Sequence, residues 1–206
     1  MRARRKQRTR NALIRSALEL FTDRGYEHTT VDDIAAAVDV SQRTFFRYFA
    51  NKEDVAFAVQ DMVERQYVQA LTERPADEPP LEALRNAVLA SWEDIGSTIR
   101  SVVPLELHMR TVQVIESTPA LVAAHLRRAA VLEEEIAGLI ATRQGVDLDA
   151  DPRPRVVVSA FGGVMRVAGR LWGEAGDCSV ESIRRITAHH LDQIRPALEG
   201  DWRPRG

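Results

Sequence analysis

Cysteine is almost absent from this sequence, since Cys178 is the only one among 206 residues. A single thiol cannot form a disulfide within the chain or supply a cysteine-rich metal site. Uninterrupted apolar runs are also short: the longest, residues 156–165, has about half the length that a bilayer-spanning helix needs. The chain starts with basic residues, but the segment behind them is amphipathic and charged, unlike the apolar core of a signal peptide. We expect a soluble protein of the reducing cytoplasm with no membrane contact.

Motifs that mark enzymes are missing as well. The sequence contains no GxSxG, no glycine-rich phosphate loop after a strand and no HExxH. Two histidines, His108 and His125, have acidic residues near them in sequence, but no HxxxH or HxxE spacing joins these groups. This favours core or solvated histidines over metal ligands. We predict no catalytic residues, no metal site and no cofactor, and we keep a helical enzyme only as a minor alternative.

Lysine is scarce, because it occurs only at positions 6 and 52, and arginine carries almost all of the positive charge. The formal net charge of the chain is −2, which by itself says nothing about nucleic acid. The charge is unevenly distributed: residues 1–52 contain 11 basic and 6 acidic residues (+5), whereas the remaining 154 contain 17 and 24 (−7). A basic front on an acidic body indicates a polyanionic partner for the front.

Helical periodicity runs through almost the whole chain. No stretch alternates convincingly between apolar and polar residues, so no sheet is predicted. Apolar residues at helical spacing instead predict an all-α protein of nine helices. We expect a three-helix N-terminal domain over residues 1–52 and a six-helix C-terminal domain over residues 53–206.

Local signals place the ends of these helices. Thr9, Thr30, Ser41 and Asn51 are residues that cap helix starts, and Asp33 forms a near capping box with Thr30. Glycine, proline and polar clusters mark the stops. Breaks are predicted at Gly25, residues 72–80, Gly96, and residues 117–119, 145–154 and 173–177.

The stretch VSQRTFFRYF, residues 40–49, places aromatic rings beside arginines. On a helical wheel at about 100° per residue, the aromatic residues divide between two faces, with Phe45 and Phe49 directed inward. A short helix, a three-residue turn and a second short helix capped by serine form a helix-turn-helix, whose second helix fits the major groove of DNA. The exposed side of this second helix carries Gln42, Arg43, Phe46 and Arg47.

The chemistry of that exposed side suits base recognition. Arginine pairs with O6 and N7 of guanine, and glutamine with N6 and N7 of adenine, so Arg43 and Gln42 are the candidate base contacts. Arg4 and Arg5 either enter the minor groove or follow the DNA backbone. Phosphate contacts are assigned to Lys52 and to the hydroxyls of Thr30, Thr44 and Tyr48. The other candidate DNA contacts are Ser41, Phe46 and Arg47.

TTVDDIAAAVDVSQRTFFRYFANKEDV, residues 29–55, resembles the DNA-binding signature of the TetR/AcrR family of bacterial one-component regulators. The resemblance covers about residues 10–55. Residues 109–126 are similar, more loosely, to the actinobacterial branch that includes the mycofactocin-type regulators. The positions that match the family pattern are Thr29, Thr30, Ile34, Ala35, Val40, Ser41, Thr44, Tyr48, Phe49, Lys52 and Glu53.

Three positions depart from that pattern. Asp39 stands where the turn usually has glycine, and aspartate tolerates the left-handed conformation better than most residues. Arg43 stands where glycine is frequent and adds a base-contacting side chain. Phe46 stands where tyrosine is common, so a usual polar contact is replaced by apolar contact, for which a thymine methyl is suited.

The resemblance implies a homodimer that binds a double-stranded palindromic operator as a repressor and is released by a small-molecule effector bound to the C-terminal domain. A constitutive DNA-binding regulator without a ligand stays open. It also implies that the last two helices form the dimer. The alternative, which is the less favoured of the two, is that the apolar stripe on the last helix packs within one subunit; the stripe comprises Ile183, Ile186, Thr187, His190, Leu191 and Ile194. The candidate pocket residues are Trp92, Leu105, His108, Met109, Val112, His125, Phe161, Met165 and Trp172.

Overall fold

The computed structural model describes residues 2–174 and 179–200, and every regular element in these ranges is a helix. The all-α expectation is therefore confirmed. No helix in the described ranges is long and apolar enough to cross a membrane. The helices are α1 (Arg2–Arg24), α2 (Val31–Ala36), α3 (Gln42–Phe46), α4 (Lys52–Ala56), α5 (Ala58–Thr72), α6 (Pro80–Arg100), α7 (Leu105–Ser117), α8 (Pro119–Gln144), α9 (Arg153–Glu174), α10 (Val180–Leu191) and α11 (Ile194–Glu199).

The described ranges contain eleven helices where the sequence predicts nine, and the difference has local causes. The predicted fourth helix is divided at Phe57, whose backbone (φ −91°, ψ 0°) lies outside the helical region. The predicted last helix is divided after Leu191, and α11 forms its final turns. The break predicted at Gly96 is wrong, because α6 continues to Arg100. A helix interior tolerates one glycine at a cost of about 1 kcal/mol.

Three of the four predicted helix caps are confirmed. The Thr30 hydroxyl accepts the Asp33 amide while the Asp33 carboxylate accepts the Thr30 amide, which completes the capping box. Ser41 and Asn51 likewise accept the amides three residues ahead of them. Thr9 is not a cap, because α1 already extends back to Arg2 and the Thr9 hydroxyl donates to the carbonyl oxygen of Arg5, four residues earlier.

Asp39 adopts a left-handed conformation, with φ of 53°, as the turn between α2 and α3 requires. The Val40 amide donates to the Ala35 carbonyl oxygen (3.0 Å), and the Asp39 amide donates to that of Ala36 (3.1 Å). These two hydrogen bonds form a Schellman motif with Asp39 in the position that glycine usually takes. The expectation that aspartate preserves the turn is confirmed.

The chain divides into two compact units, and the first comprises residues up to 66 together with 94–128. In this unit α1 packs against α2, α4 and α7, and α2 packs against α3. The division of the sequence at residue 52 stays a prediction. Fully buried large side chains at the centre of the first unit are Leu13, Ile14, Leu18, Phe21, Ile34, Phe45, Val55 and Phe57.

The second unit comprises residues 67–93 and the described residues from 129 onward. Its most extensive helix pair is α9 with α10. Thr187, Leu191 and Ile194, from the apolar stripe predicted on the last helix, are buried within this unit. Of the two alternatives, packing inside one subunit therefore accounts for these three side chains.

Candidate nucleic-acid interface

The recognition face is the exposed side of α3 and its continuation, formed by Gln42, Arg43, Phe46 and Arg47. All four residues are exposed, and Phe46 retains 49% of its surface. The capping Ser41 fixes the start of α3, which directs the N-terminal residues Gln42 and Arg43 away from the core. The structure thus brings together the side chains that the helical wheel assigns to one face, as a docked helix-turn-helix needs.

The aromatic rings behind this face divide as the sequence predicts. Phe45 is fully buried and Phe49 is 5% exposed. Phe46 meets Phe45 edge-on at 5.5 Å between ring centroids, while its outer edge lies in solvent. The Arg47 guanidinium lies over the Tyr48 ring, 5.2 Å from its centroid. Phe46 is not buried against α1, so the apolar base contact assigned to it stays a prediction.

The hydroxyl groups of Thr30, Ser41 and Thr44 already have protein partners. The Ser41 and Thr44 oxygens share a hydrogen bond of 3.1 Å. The Thr30 hydroxyl donates to the Asp33 carboxylate (2.6 Å), and hydrogen bonds from the Thr30 side chain and backbone hold the pKa of Asp33 below its ordinary value. A hydroxyl has one proton, so donation by Thr30 to a phosphate conflicts with this geometry.

Lys52 has partners within the protein, and the phosphate role expected for it stays a prediction. Its ammonium group donates to the carbonyl oxygens of Tyr26 (2.8 Å) and Thr29 (2.9 Å) and lies 4.0 Å from the Tyr26 ring centroid. Burial lowers the pKa of Lys52 and raises that of Tyr26 to about 12. Lys52 therefore ties α4 to the loop after α1, where it stabilises the approach to α2.

Arg4 and Arg5 are exposed residues of α1. They lie on a continuous helix that also carries the exposed Lys6 and Arg8, not on an extended arm. A helix is too wide for a minor groove of about 6 Å. Of the two roles predicted for Arg4 and Arg5, contact with the DNA backbone fits this geometry.

The predicted pocket residues are divided between the two units. Leu105, His108, Met109, Val112 and His125 belong to the first unit, and the other four to the second. Burial lowers the pKa of His108 to about 4, so its ring is neutral at neutral pH. The other four are Trp92, Phe161, Met165 and Trp172, of which Trp92 and Phe161 are buried.

A cavity of about 550 Å³ lies in the second unit, and none of the nine predicted pocket residues lines it. The sequence favours large apolar side chains in the predicted helices over prolines and loop residues, and the nine-residue pocket stays a prediction. Its walls are formed by Pro79, Pro80, Leu81, Ile140, Gln144, Val146, Asp151, Arg153, Pro154, Val157 and Arg195.

Tyr67 is a buried residue of α5 and belongs to the second unit. Its hydroxyl has no hydrogen-bond partner among the described protein atoms. Its ring is parallel to that of Phe161, at 6.0 Å between centroids and 7° between planes. Burial raises the pKa of Tyr67, so the hydroxyl keeps its proton and is a donor. No local signal in the sequence marks this hydroxyl as unpaired.

The helix-turn-helix and the helices around it match a known family. The model of "Bacterial regulatory proteins, tetR family" matches residues 13–59, and that of the "MftR C-terminal domain" matches residues 78–199. The chain belongs to the TetR family of bacterial transcriptional regulators. Both resemblances identified in the sequence are confirmed, as is the expectation of a regulator instead of an enzyme.

Similar proteins support the same assignment. The chain is 44% identical to the HTH-type transcriptional regulator TcmR of Streptomyces glaucescens, over 100% of this chain and 91% of TcmR. It is 32% identical to MftR of Mycobacterium tuberculosis, which is named for regulation of mycofactocin biosynthesis, over 82% of each chain. The SmeT–triclosan complex has the same fold, with a TM-score of 0.59 and 18% identity over 92% of this chain and 90% of SmeT.

Proposed function

We propose that this transcriptional regulator is a ligand-responsive repressor that binds a palindromic operator as a homodimer. The observation that carries the proposal is the recognition face of α3, where two arginines, a glutamine and an exposed phenylalanine project from a capped helix-turn-helix. Because arginine and glutamine match the major-groove edges of guanine and adenine, Arg43 and Gln42 are proposed to contact bases. Arg4 and Arg5 are proposed to contact phosphates.

A dimer presents this face twice. Two copies of α3 reach successive major grooves when they are roughly 34–36 Å apart, and the operator is then a palindrome. Exposed apolar residues on α9, Val156 at 65% and Val167 at 37%, support a surface on this helix that a second copy covers. Thr187, Leu191 and Ile194 are not offered for this contact because they are buried within one chain.

The effector site is proposed in the second unit. The cavity of about 550 Å³ lies within the size range of small-molecule sites. The Tyr67 hydroxyl of the same unit is a buried donor without a partner among the described protein atoms, but Tyr67 is not one of the residues that line this cavity. A ligand releases the dimer from DNA only if it binds more tightly to a conformation in which the spacing of the two α3 helices does not fit the operator than to the DNA-bound conformation. Typical couplings of about 1 to 3 kcal/mol lower DNA affinity by roughly 5- to 150-fold.

Selection of bound sequences from random double-stranded DNA by the purified protein tests the proposal. We expect a palindrome whose half-sites are about one helical turn apart. The recovered duplex then serves for titrations with a metabolite panel, in which an effector weakens binding. Recovery of no sequence preference would exclude a specific operator, and recovery of a single half-site would exclude the dimeric mode.

Tyr67→Phe is expected to raise the free energy of unfolding by about 1 kcal/mol, because it removes a buried hydroxyl that lacks a protein partner. Urea unfolding followed by circular dichroism measures this effect. Tyr48→Phe, at a half-buried residue of the first unit, is the control and should change stability by less than about 0.5 kcal/mol. A less stable Tyr67→Phe would show that the hydroxyl is satisfied in the folded protein.

A further inference from the structure

Arg128 occupies an acidic, partly buried site on α8, within the first unit. Its guanidinium forms an ion pair with Asp61 and lies 3.7 Å from an Asp54 carboxylate oxygen. The side chains are only 27% (Arg128), 24% (Asp61) and 34% (Asp54) exposed. Partly buried pairs are screened less by salt than surface pairs, so this arginine holds the two carboxylates more firmly than a solvent-exposed one would.

Asp54 connects this site to the end of the recognition segment. One of its carboxylate oxygens, Oδ1, faces Arg128, while the other, Oδ2, accepts the Ala50 amide at 3.2 Å. Ala50 directly follows Phe49, the buried residue that anchors the end of the α3 segment. A single carboxylate thus joins α8 to the backbone between α3 and α4.

The ring of Phe57 is the second point of contact between α8 and this region. Phe57 is fully buried at the junction of α4 and α5. The Arg128 guanidinium lies 5.0 Å from its ring centroid, and the His125 ring is nearly parallel to it, at 6.3 Å and 14°. Residues 125 and 128 are three positions apart and therefore share one face of α8. That face holds the α4–α5 junction by charge and by ring contact together.

Charge balance makes the site sensitive to loss of the arginine. Besides Asp54 and Asp61, Glu64 interacts with Arg128, and burial raises the pKa of Glu64 while the Gln60 amide donates to its carboxylate at 2.7 Å. Without Arg128, partly buried carboxylates would face one another with less compensation, which is strongly unfavourable. The expected relief is a displacement of α4, which carries Asp54, relative to α5, which carries Asp61 and Glu64.

We propose that Arg128 is a positioning residue for DNA recognition: from α8 it sets the placement of α4 and, through Asp54, of the end of the α3 segment. The proposal rests on the proposed DNA-binding function but concerns a residue outside the recognition face.

Arg128→Ala and Arg127→Ala form a matched pair for the test. Both remove one arginine from α8, but Arg127 is 66% exposed and lies 3.4 Å from Glu53 in a loose surface pair. In titrations of the full-length protein with the selected duplex, we expect Arg128→Ala to lower affinity about tenfold and Arg127→Ala less than threefold. Each affinity is calculated for the concentration of folded protein, and circular dichroism under the same conditions measures the folded fraction. Equal losses for the two variants, or a loss explained by unfolded protein, would overturn the proposal.

Asp54→Asn tests the route through the carboxylate, because the amide oxygen still accepts the Ala50 amide while the charge is lost. We expect the losses of Asp54→Asn and Arg128→Ala to be non-additive, with the double variant close to Arg128→Ala alone. Additive losses would exclude Asp54 as the intermediary. If Arg128→Ala is unstable, Arg128→Lys takes its place in the test. Lysine keeps the positive charge but lacks the planar guanidinium, so we expect a folded variant with an intermediate loss of DNA affinity.

Amide hydrogen exchange without DNA separates this inference from the proposed function. In Arg128→Ala we expect faster exchange confined to residues 50–58, with α1 unchanged, whether or not an operator is found. Unchanged exchange at residues 50–58 would overturn the positioning role. If exchange is altered in Arg128→Ala but the wild-type protein selects no DNA sequence, the positioning role of Arg128 is retained and the proposed operator is rejected.

Discussion

Phe45→Ala is expected to destabilise the protein by about 3–5 kcal/mol, the usual cost of truncating a buried phenylalanine. Phe45 has no exposed surface and contacts the rings of both Phe46 and Phe49, so its removal leaves a cavity directly behind the recognition face. Small domains have a total stability of about 5–15 kcal/mol, and a loss of this size removes much of it. Specific DNA binding should be lost with it, because α3 has no other fully buried anchor of its own.

Urea unfolding at constant temperature measures this loss, and Phe46→Ala is the matched control one residue away. Phe46 is 49% exposed, and its edge-on contact with Phe45 contributes about 0.5–1.5 kcal/mol. We expect Phe46→Ala to lower the free energy of unfolding by no more than this amount. The same change should weaken binding to the selected duplex. Equal destabilisation by the two variants would contradict the division of the aromatic rings between two faces.

Arg43→Ala is expected to weaken operator binding by about 1–3 kcal/mol and to relax the preference at one base position. The side chain is exposed near the N-terminus of α3, where recognition helices contact base edges, and the bidentate contact to guanine proposed for it would be lost. Binding to random DNA should fall less, because phosphate contacts supply most of the non-specific affinity.

Titrations of both duplexes at several salt concentrations provide the measurement, and Arg47→Ala is the control for loss of one positive charge. Arg47 lies on the same face with its guanidinium over the Tyr48 ring. A repeated selection with Arg43→Ala should return the same palindrome with one degenerate position per half-site. Equal losses on operator and random DNA would show that Arg43 contacts phosphate and not a base.

The parts of the fold that the sequence predicts depend on neighbours within four residues. The caps at Thr30, Ser41 and Asn51 are such cases, because donor and acceptor are three residues apart. The left-handed Asp39 also follows from its place between two short helices. Thr9 shows the limit: its sequence signal is that of a cap, but the helix-compatible residues before it extend α1 past it.

The parts that the sequence does not predict depend on distant partners. Lys52 has the position of a phosphate contact, yet its partners are carbonyl oxygens 23 and 26 residues away. Arg128 shows no motif at all, since Asp61 is 67 residues distant in sequence. Hydrophobicity alone selects core residues, whereas the walls of the described cavity include prolines and charged side chains. Such contacts follow only from the three-dimensional fold.

The way Lys52 is held has a practical consequence for labelling the protein. The chain has only two lysines, and the ammonium group of Lys52 is engaged by two carbonyl oxygens and an aromatic ring. Lys6 lies exposed on α1, beside the arginines proposed to contact phosphates. Among side-chain amines, an amine-reactive fluorophore would therefore attach preferentially at Lys6. One dye at this position would report the approach of DNA optically, without any substitution in the sequence.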